Sequence, residues 1–146
     1  MRTSNPKPQA PAFLLIDAAG NTIGKVATKA AVILRGKHKA TFSPHRACGD
    51  HVIVINAAEL RLPPKKGLRK TYYRHTGFAG NMKETTLQTM MRRDPRKVIE
   101  LAVRGMLERN RLSRVLLKRL HVYTAAAHPY ESHKPVTISL IRSMHV

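Results

Sequence analysis

Lysines and arginines in this chain gather into four clusters, and their side chains suit the binding of phosphate groups. The clusters occupy residues 35–39, 65–70, 92–97 and 109–119. A phosphate that pairs with an ammonium or guanidinium group releases condensed counterions, which favours binding. A single cluster of this kind is equally typical of a solvated surface. Four clusters with few acids among them instead predict a polyanionic partner.

The overall charge points the same way. Lys and Arg number 27 against 8 Asp and Glu in 146 residues, so the formal net charge is +19 and the pI is about 11.2. Such an excess opposes compaction unless a polyanion neutralises it. A membrane surface would also attract positive charge, but the charge would then lie on one amphipathic helix. Basic residues here run from Arg2 to Arg142, which favours nucleic acid.

A different chemistry is predicted for the loop HTGFAGN at residues 75–81. Gly77 and Gly80 let the backbone approach a ligand closely. His75 or Phe78 can stack on an unpaired RNA base. The alternative is an ordinary loop whose phenylalanine enters the core.

Two patterns with catalytic or metal-binding potential lack an essential part. Residues 20–26 resemble a phosphate-binding loop, but three residues instead of four separate the glycines and Val26 follows the lysine. His45, Cys48 and His51 are evenly spaced, yet a structural zinc site needs four ligands. Cys48 is the single cysteine, which excludes an internal disulfide and fits a reducing compartment. We therefore predict no catalytic residue, no metal and no cofactor.

Predicted strands and helices alternate along the chain and position the basic clusters and the loop at 75–81. Apolar runs predict strands at 13–16 and 51–56, and Ile23, Ala27, Ala30 and Leu34 share one helical face. A run that is apolar on both faces suits a sheet covered on both sides. The alternation predicts an α/β domain with a mainly parallel sheet.

Further along, the prolines of segment 63–67 predict a turn, and residues 71–74 predict a strand. Helices are expected from Thr85 or Thr86, and from Asp94-Pro95, where Asp caps and Pro takes the first helical position. Residues 113–120 form a last amphipathic stretch.

A single domain is the expected organisation, with a flexible leader at 1–11, an α/β domain at 12–131 and an irregular tail at 132–146. No apolar run approaches the roughly 18 residues that a membrane span needs. The prolines near the start interrupt any signal-peptide core. The default location is the cytoplasm, with an organelle as the alternative.

Six motifs in fixed order resemble the bacterial and organellar form of the large-subunit ribosomal protein thirteen family, over residues 13–131. They are D-A-x-G-x-x-x-G (17–24), LRGKHK (34–39), PH…GDHVIVIN (44–56), YYRHTG (72–77), VRGML (103–107) and LKRLHVY (117–123). The chain departs from the family pattern at Ala79-Gly80-Asn81, where Pro-Gly-Gly is usual, and at Glu108, where proline is usual.

The resemblance implies a three-layer α/β/α domain with a four-stranded, largely parallel sheet. It also implies early binding to large-subunit rRNA, neighbouring large-subunit ribosomal proteins as partners, and no catalysis. We therefore expect an rRNA-binding structural and assembly protein, with no membrane and no small-molecule substrate. The residues expected to contact RNA are Lys37, His38, Lys39, Lys65, Lys66, Arg69, Lys70, Arg74, His75, Gly77, Lys83, Arg92, Arg93, Arg109, Arg111, Arg114, Lys118 and Arg119.

Two other classes of protein compete with this interpretation. A nucleotide-binding or RNA-modifying enzyme on a similar sheet would need a phosphate loop or a convergent acid/base pair. A DNA-compacting architectural protein would need apolar wedges or a dimeric arm. None of these features is evident in the sequence.

Overall fold

A computed structural model describes residues 9–140, apart from the side chains of Lys66 and Leu68. Residues 1–8 of the expected leader and 141–146 of the expected tail lie outside the described residues. The strands are β1 (Phe13–Asp17), β2 (His51–Ile55), β3 (Thr71–His75), β4 (Met82–Thr86), β5 (Leu120–Val122) and β6 (Val136–Ile138). The helices are α1 (Ile23–Arg35), α2 (Pro64–Arg69), α3 (Leu87–Arg93), α4 (Pro95–Met106) and α5 (Arg111–Leu117).

Four strands form one sheet in the order β5-β2-β1-β6, and each neighbouring pair is parallel. Leu14 pairs with Val52 on one side and with Val136 on the other. The predicted α/β class and the four-stranded parallel sheet are confirmed. A second sheet consists of the antiparallel hairpin β3–β4.

One face of the main sheet packs against helices. Ile16, Val52 and Val54 contribute to a buried cluster with residues of α1 and α4, including Leu34 and Ile99. The helical face predicted for α1 is confirmed, since Ala27, Ala30 and Leu34 are fully buried and Ile23 packs against the cluster. Gly36 ends this helix in the left-handed conformation at φ 79°, where glycine carries no steric penalty.

Aromatic and histidine rings line the opposite face. Phe13 stacks on His51 at 4.6 Å and on His133 at 4.4 Å between ring centroids. The Tyr130 hydroxyl lies 3.1 Å from Nδ1 of His121. Burial is the main cause that lowers the pKa of both His51 and His121, because it disfavours the imidazolium form. The segment that follows β5 thus covers this face of the sheet.

The structure differs from expectation in four segments. Strand β5 was not predicted, and it begins at the last residue of the expected amphipathic stretch 113–120. Residues 64–69 form helix α2 instead of a turn, because proline suits a first helical position. The tail at 132–146 is predicted to be irregular, but it contains β6, whose three residues are too few to show a strand period. Strand β4 was not predicted, because it is polar and exposed and depends on pairing with β3. Among the described residues, none of the helices has the length and hydropathy that a membrane span requires.

Candidate nucleic-acid interface

Most of the cations predicted to contact RNA are exposed. Among the side chains that the structure describes, these exposed cations have no carboxylate within ion-pair distance. These free cations occur on helices, strands and loops around the main sheet. They are Lys37, Lys65, Arg69, Arg74, Lys83, Arg92, Arg93, Arg109, Arg111, Arg114 and Lys118. Lys70 is half-buried, and its Nζ lies 5.0 Å from the centre of the Tyr72 ring, a cation–π distance.

Lys39 and His38 make contacts inside the protein. The Lys39 ammonium donates to Oδ1 of Asp50, and His38 Nε2 lies 2.8 Å from Oδ2. The backbone N–H of Ala12 donates to the same carboxylate at 2.8 Å. Burial raises the pKa of Asp50, but the hydrogen bonds from Lys39, Ala12 and His38 outweigh it and lower the pKa overall. Asp50 therefore neutralises part of the first basic cluster and ties it to the segment before β1.

Arg119 is also engaged within the chain. Its guanidinium donates to the carbonyl oxygens of Gly49, at 2.5 Å, and Ala47, at 3.3 Å. These bonds join the loop before β2 to the residue before β5, so the side chain holds two neighbouring strands in register. Its contribution to RNA contact stays a prediction.

Four arginines surround a concave site of about 840 Å³ between the end of α4 and α5. Arg109, Arg111 and Arg114 were predicted, whereas Arg104 was missed. Arg104 belongs to a different helix, and only the packing of α4 against α5 brings it to the others. Glu108 also lines the site, but its carboxylate pairs with Arg35. The surface is therefore more positive than its sequence neighbourhood indicates.

The hairpin β3–β4 brings further predicted residues together. Arg74 and Lys83 are directly opposite each other in the register of the two strands. At the tip, the backbone N–H of Gly77 donates to Nδ1 of His75 at 3.0 Å, and Gly77 has φ 99°, which favours glycine. Phe78 is exposed, so the alternative in which it enters the core is wrong.

The two other candidate sites have ordinary structural positions. Residues 20–22 lead from a turn into α1, whose first turn contains residues 23–26, and the Gly20 N–H is bonded to the Glu59 carbonyl at 3.1 Å. Cys48 is a buried free thiol. Within residues 9–140, no three His, Cys, Asp or Glu side chains gather in an arrangement that could hold a metal ion.

Comparison with known proteins shows the family of this chain. The family model for ribosomal protein L13 matches residues 12–129. This chain belongs to the ribosomal protein L13 family. The match covers every strand except β6, and all five helices.

Similar proteins bear the name large ribosomal subunit protein uL13. The one from Symbiobacterium thermophilum is 46% identical over 132 residues, which cover 90% of this chain and 92% of the relative. The one from Geobacillus kaustophilus is 48% identical and covers 88% of each chain. The one from Hahella chejuensis is 41% identical over 142 residues, 96% of this chain and all of the relative. The resemblance proposed from the six motifs is confirmed.

Proposed function

We propose that this chain is a structural component of the large ribosomal subunit that binds and organises large-subunit rRNA during assembly, and that it is not an enzyme. Membership in the ribosomal protein L13 family and the names of the relatives support this function. Its site of action is the ribosome, in the cytoplasm or in an organelle. Neighbouring large-subunit ribosomal proteins are the other expected partners.

The observation that carries the proposal is the large surplus of unpaired positive charge. The sequence has 27 Lys and Arg residues. Among the described side chains, Arg35, Lys39 and Lys97 are the Lys and Arg residues that pair with a carboxylate. RNA phosphates supply the missing negative charge, and bound RNA in turn packs more closely because its own repulsion is cancelled.

Recognition in this proposal depends mainly on RNA shape. The major groove of an A-form helix is too narrow and deep for side chains to read base edges. Cations distributed over several elements instead match phosphates that only a folded RNA brings to the right positions. The arginine-lined site between α4 and α5 would bind RNA where several of its phosphates lie close together.

The test compares binding of the purified chain to folded large-subunit rRNA and to random duplex DNA at physiological salt. We expect clearly tighter binding to the rRNA. Equal affinity for duplex DNA would favour an architectural DNA-binding protein, and turnover of a bound nucleotide would favour an enzyme; either result contradicts the proposal.

A double variant links the binding to particular cations. Replacing Lys65 and Arg69, two exposed residues of α2, with alanine should weaken rRNA binding and flatten the slope of log affinity against log salt by about 0.7–0.9 per lost phosphate contact. The matched control is Lys25→Ala with Lys29→Ala, which removes the same charge from the exposed side of α1. A slope unchanged from wild type would remove Lys65 and Arg69 from the interface.

A further inference from the structure

The hairpin formed by β3 and β4 has two faces of different chemistry. Side chains alternate between the faces of a strand, so Tyr72 and Arg74 share one face with the residues opposite them, Thr85 and Lys83. Like charges directly opposite each other destabilise an antiparallel pair. The face with Arg74 and Lys83, here called the cationic face, therefore gains from a bound anion.

The other face carries Tyr73 and His75, with Glu84 and Met82 opposite them. We call these four residues the aromatic face. Tyr73 is 62% exposed, Met82 is 58% exposed, and Phe78 at the hairpin tip is 73% exposed. Exposed aromatic and apolar side chains that occur on one small element can mark an interaction site.

Two of these rings are held in place although they are exposed. The Thr71 hydroxyl donates to the Tyr73 hydroxyl oxygen at 3.1 Å. Nδ1 of His75 accepts the Gly77 N–H at 3.0 Å, which sets the orientation of the imidazole. Side chains that are already ordered lose less entropy when a ligand binds. The aromatic face is thus prepared for contact with a flat partner.

We propose that the aromatic face and Phe78 stack on unpaired bases of an RNA segment whose phosphates contact the cationic face. The inference rests on the proposed rRNA-binding function and specifies the kind of RNA that this hairpin binds. Every base has a π-face that stacks on aromatic rings, and unpaired loops and bulges are where bases are free to do so. The Glu84 carboxylate repels phosphates and so favours bases over the RNA backbone on this face.

Charge complementarity favours RNA over a neighbouring protein as the occupant. Lys70, Arg74 and Lys83 all belong to the hairpin or to its base, and Glu84 is the one acid within residues 70–86. The hairpin is only two strands wide, and neighbouring strands lie about 4.8 Å apart. One single-stranded segment can therefore pass around its edge, with phosphates on one side and bases on the other.

The first test separates stacking from charge by its salt dependence. Tyr73→Ala with Phe78→Ala should weaken binding to folded large-subunit rRNA by about 5- to 100-fold at every salt concentration, because stacking releases no counterions. Arg74→Ala with Lys83→Ala should instead flatten the log–log salt slope. Tyr73→Phe should keep most of the affinity, and Val136→Thr, at an exposed apolar residue outside the hairpin, serves as the control.

The second test reports directly on the side chain at position 78. The chain has no tryptophan, so Phe78→Trp introduces a single indole whose fluorescence should be quenched when rRNA binds. Full rRNA affinity of the Tyr73→Ala, Phe78→Ala variant would overturn the proposal that these rings stack on bases. Indole emission that changes only when a second ribosomal protein is added would also overturn it. Absence of rRNA binding by the wild-type chain would overturn the proposed function instead, so the two failures are distinguishable.

Discussion

At the scale of single residues, Asp50 shows how an acid is kept inside a strongly basic protein. Its side chain is almost fully buried, and the Lys39 ammonium, His38 and the Ala12 N–H all contact its two oxygens. An ion pair that is removed from water is tolerated when hydrogen bonds satisfy the remaining polar groups. The pair therefore acts as an internal tie between the first basic cluster and the segment before β1.

Removal of one partner of the Asp50–Lys39 pair should destabilise the folded protein. We expect Asp50→Ala to lower the free energy of unfolding by about 3–5 kcal/mol, because the largely buried Lys39 ammonium loses its counter-charge. Denaturant unfolding at neutral pH measures the change. Glu100→Ala, at an exposed acid of α4, is the control and should change the free energy by less than about 0.5 kcal/mol. A similar small change for both variants would contradict the role given to Asp50.

The same carboxylate predicts how stability depends on pH. The pKa of Asp50 is lower in the folded protein than the ordinary value near 3.9, so the unfolded chain binds more protons as the solution is acidified. The stabilisation is fully present above about pH 4 and is lost as pH falls through the folded pKa. Thermal unfolding of wild type and Asp50→Asn between pH 6 and pH 2 should converge in acid. Parallel curves would show that Asp50 contributes nothing to acid sensitivity.

At the scale of elements, the loop before β2 lies directly against the end of α1. A Cβ on Gly49 would overlap the Leu34 carbonyl group and would come within 2.7 Å of the Ile33 carbonyl oxygen. These are backbone atoms of the last helical turn, which cannot rotate away. Arg119 holds the same loop through the carbonyl of Gly49. The close approach of helix and loop sets where β2 begins beside β1.

Two glycine-to-alanine substitutions should therefore have opposite effects. Gly49→Ala should destabilise the protein by about 3 kcal/mol or more, since overpacking forces the backbone to shift. Gly105→Ala, within α4, meets no atom within 4 Å and should stabilise by about 0.8–1 kcal/mol through helix propensity. Thermal or denaturant unfolding of both variants checks the pair. A neutral Gly49→Ala would show that the loop can move away from α1.

At the scale of the whole molecule, the net charge of +19 acts against the folded state. Compaction brings like charges together, and the acids of the chain neutralise few of them. The arginines around the site between α4 and α5 are an example, since Glu108 is already paired with Arg35. A bound polyanion should therefore support folding as well as occupy the surface.

Added salt should partly replace that polyanion. We expect the midpoint of thermal unfolding of the RNA-free chain to rise by several degrees between about 0.01 M and 0.15 M NaCl, as the Debye length falls from about 30 Å to 8 Å. A gain of 1 kcal/mol corresponds to roughly 4 °C for a domain of this size. A constant or falling midpoint would mean that self-repulsion does not limit the stability of this fold.

Sequence patterns alone determined the α/β class, the strands at β1 and β2, the buried face of α1 and the capped start of α4 at Asp94. These features depend on local periodicity, propensity and capping, which residues close in the chain control. The six motifs likewise identified the family, and the excess of cations predicted a polyanionic partner, because composition and the order of motifs do not depend on folding.

Which cations are available to a partner depends on contacts that form only in the folded protein. Lys39 and Arg119 have the same charge as their neighbours in sequence, yet Asp50 and two backbone carbonyls engage them. Arg104 joins the predicted arginines because α4 packs against α5, and β4 becomes a strand because it pairs with the neighbouring β3. Strand β6 forms because it pairs with the distant β1. Pairing across a long separation carries no local signal, since its energy comes from a partner that sequence proximity does not reveal.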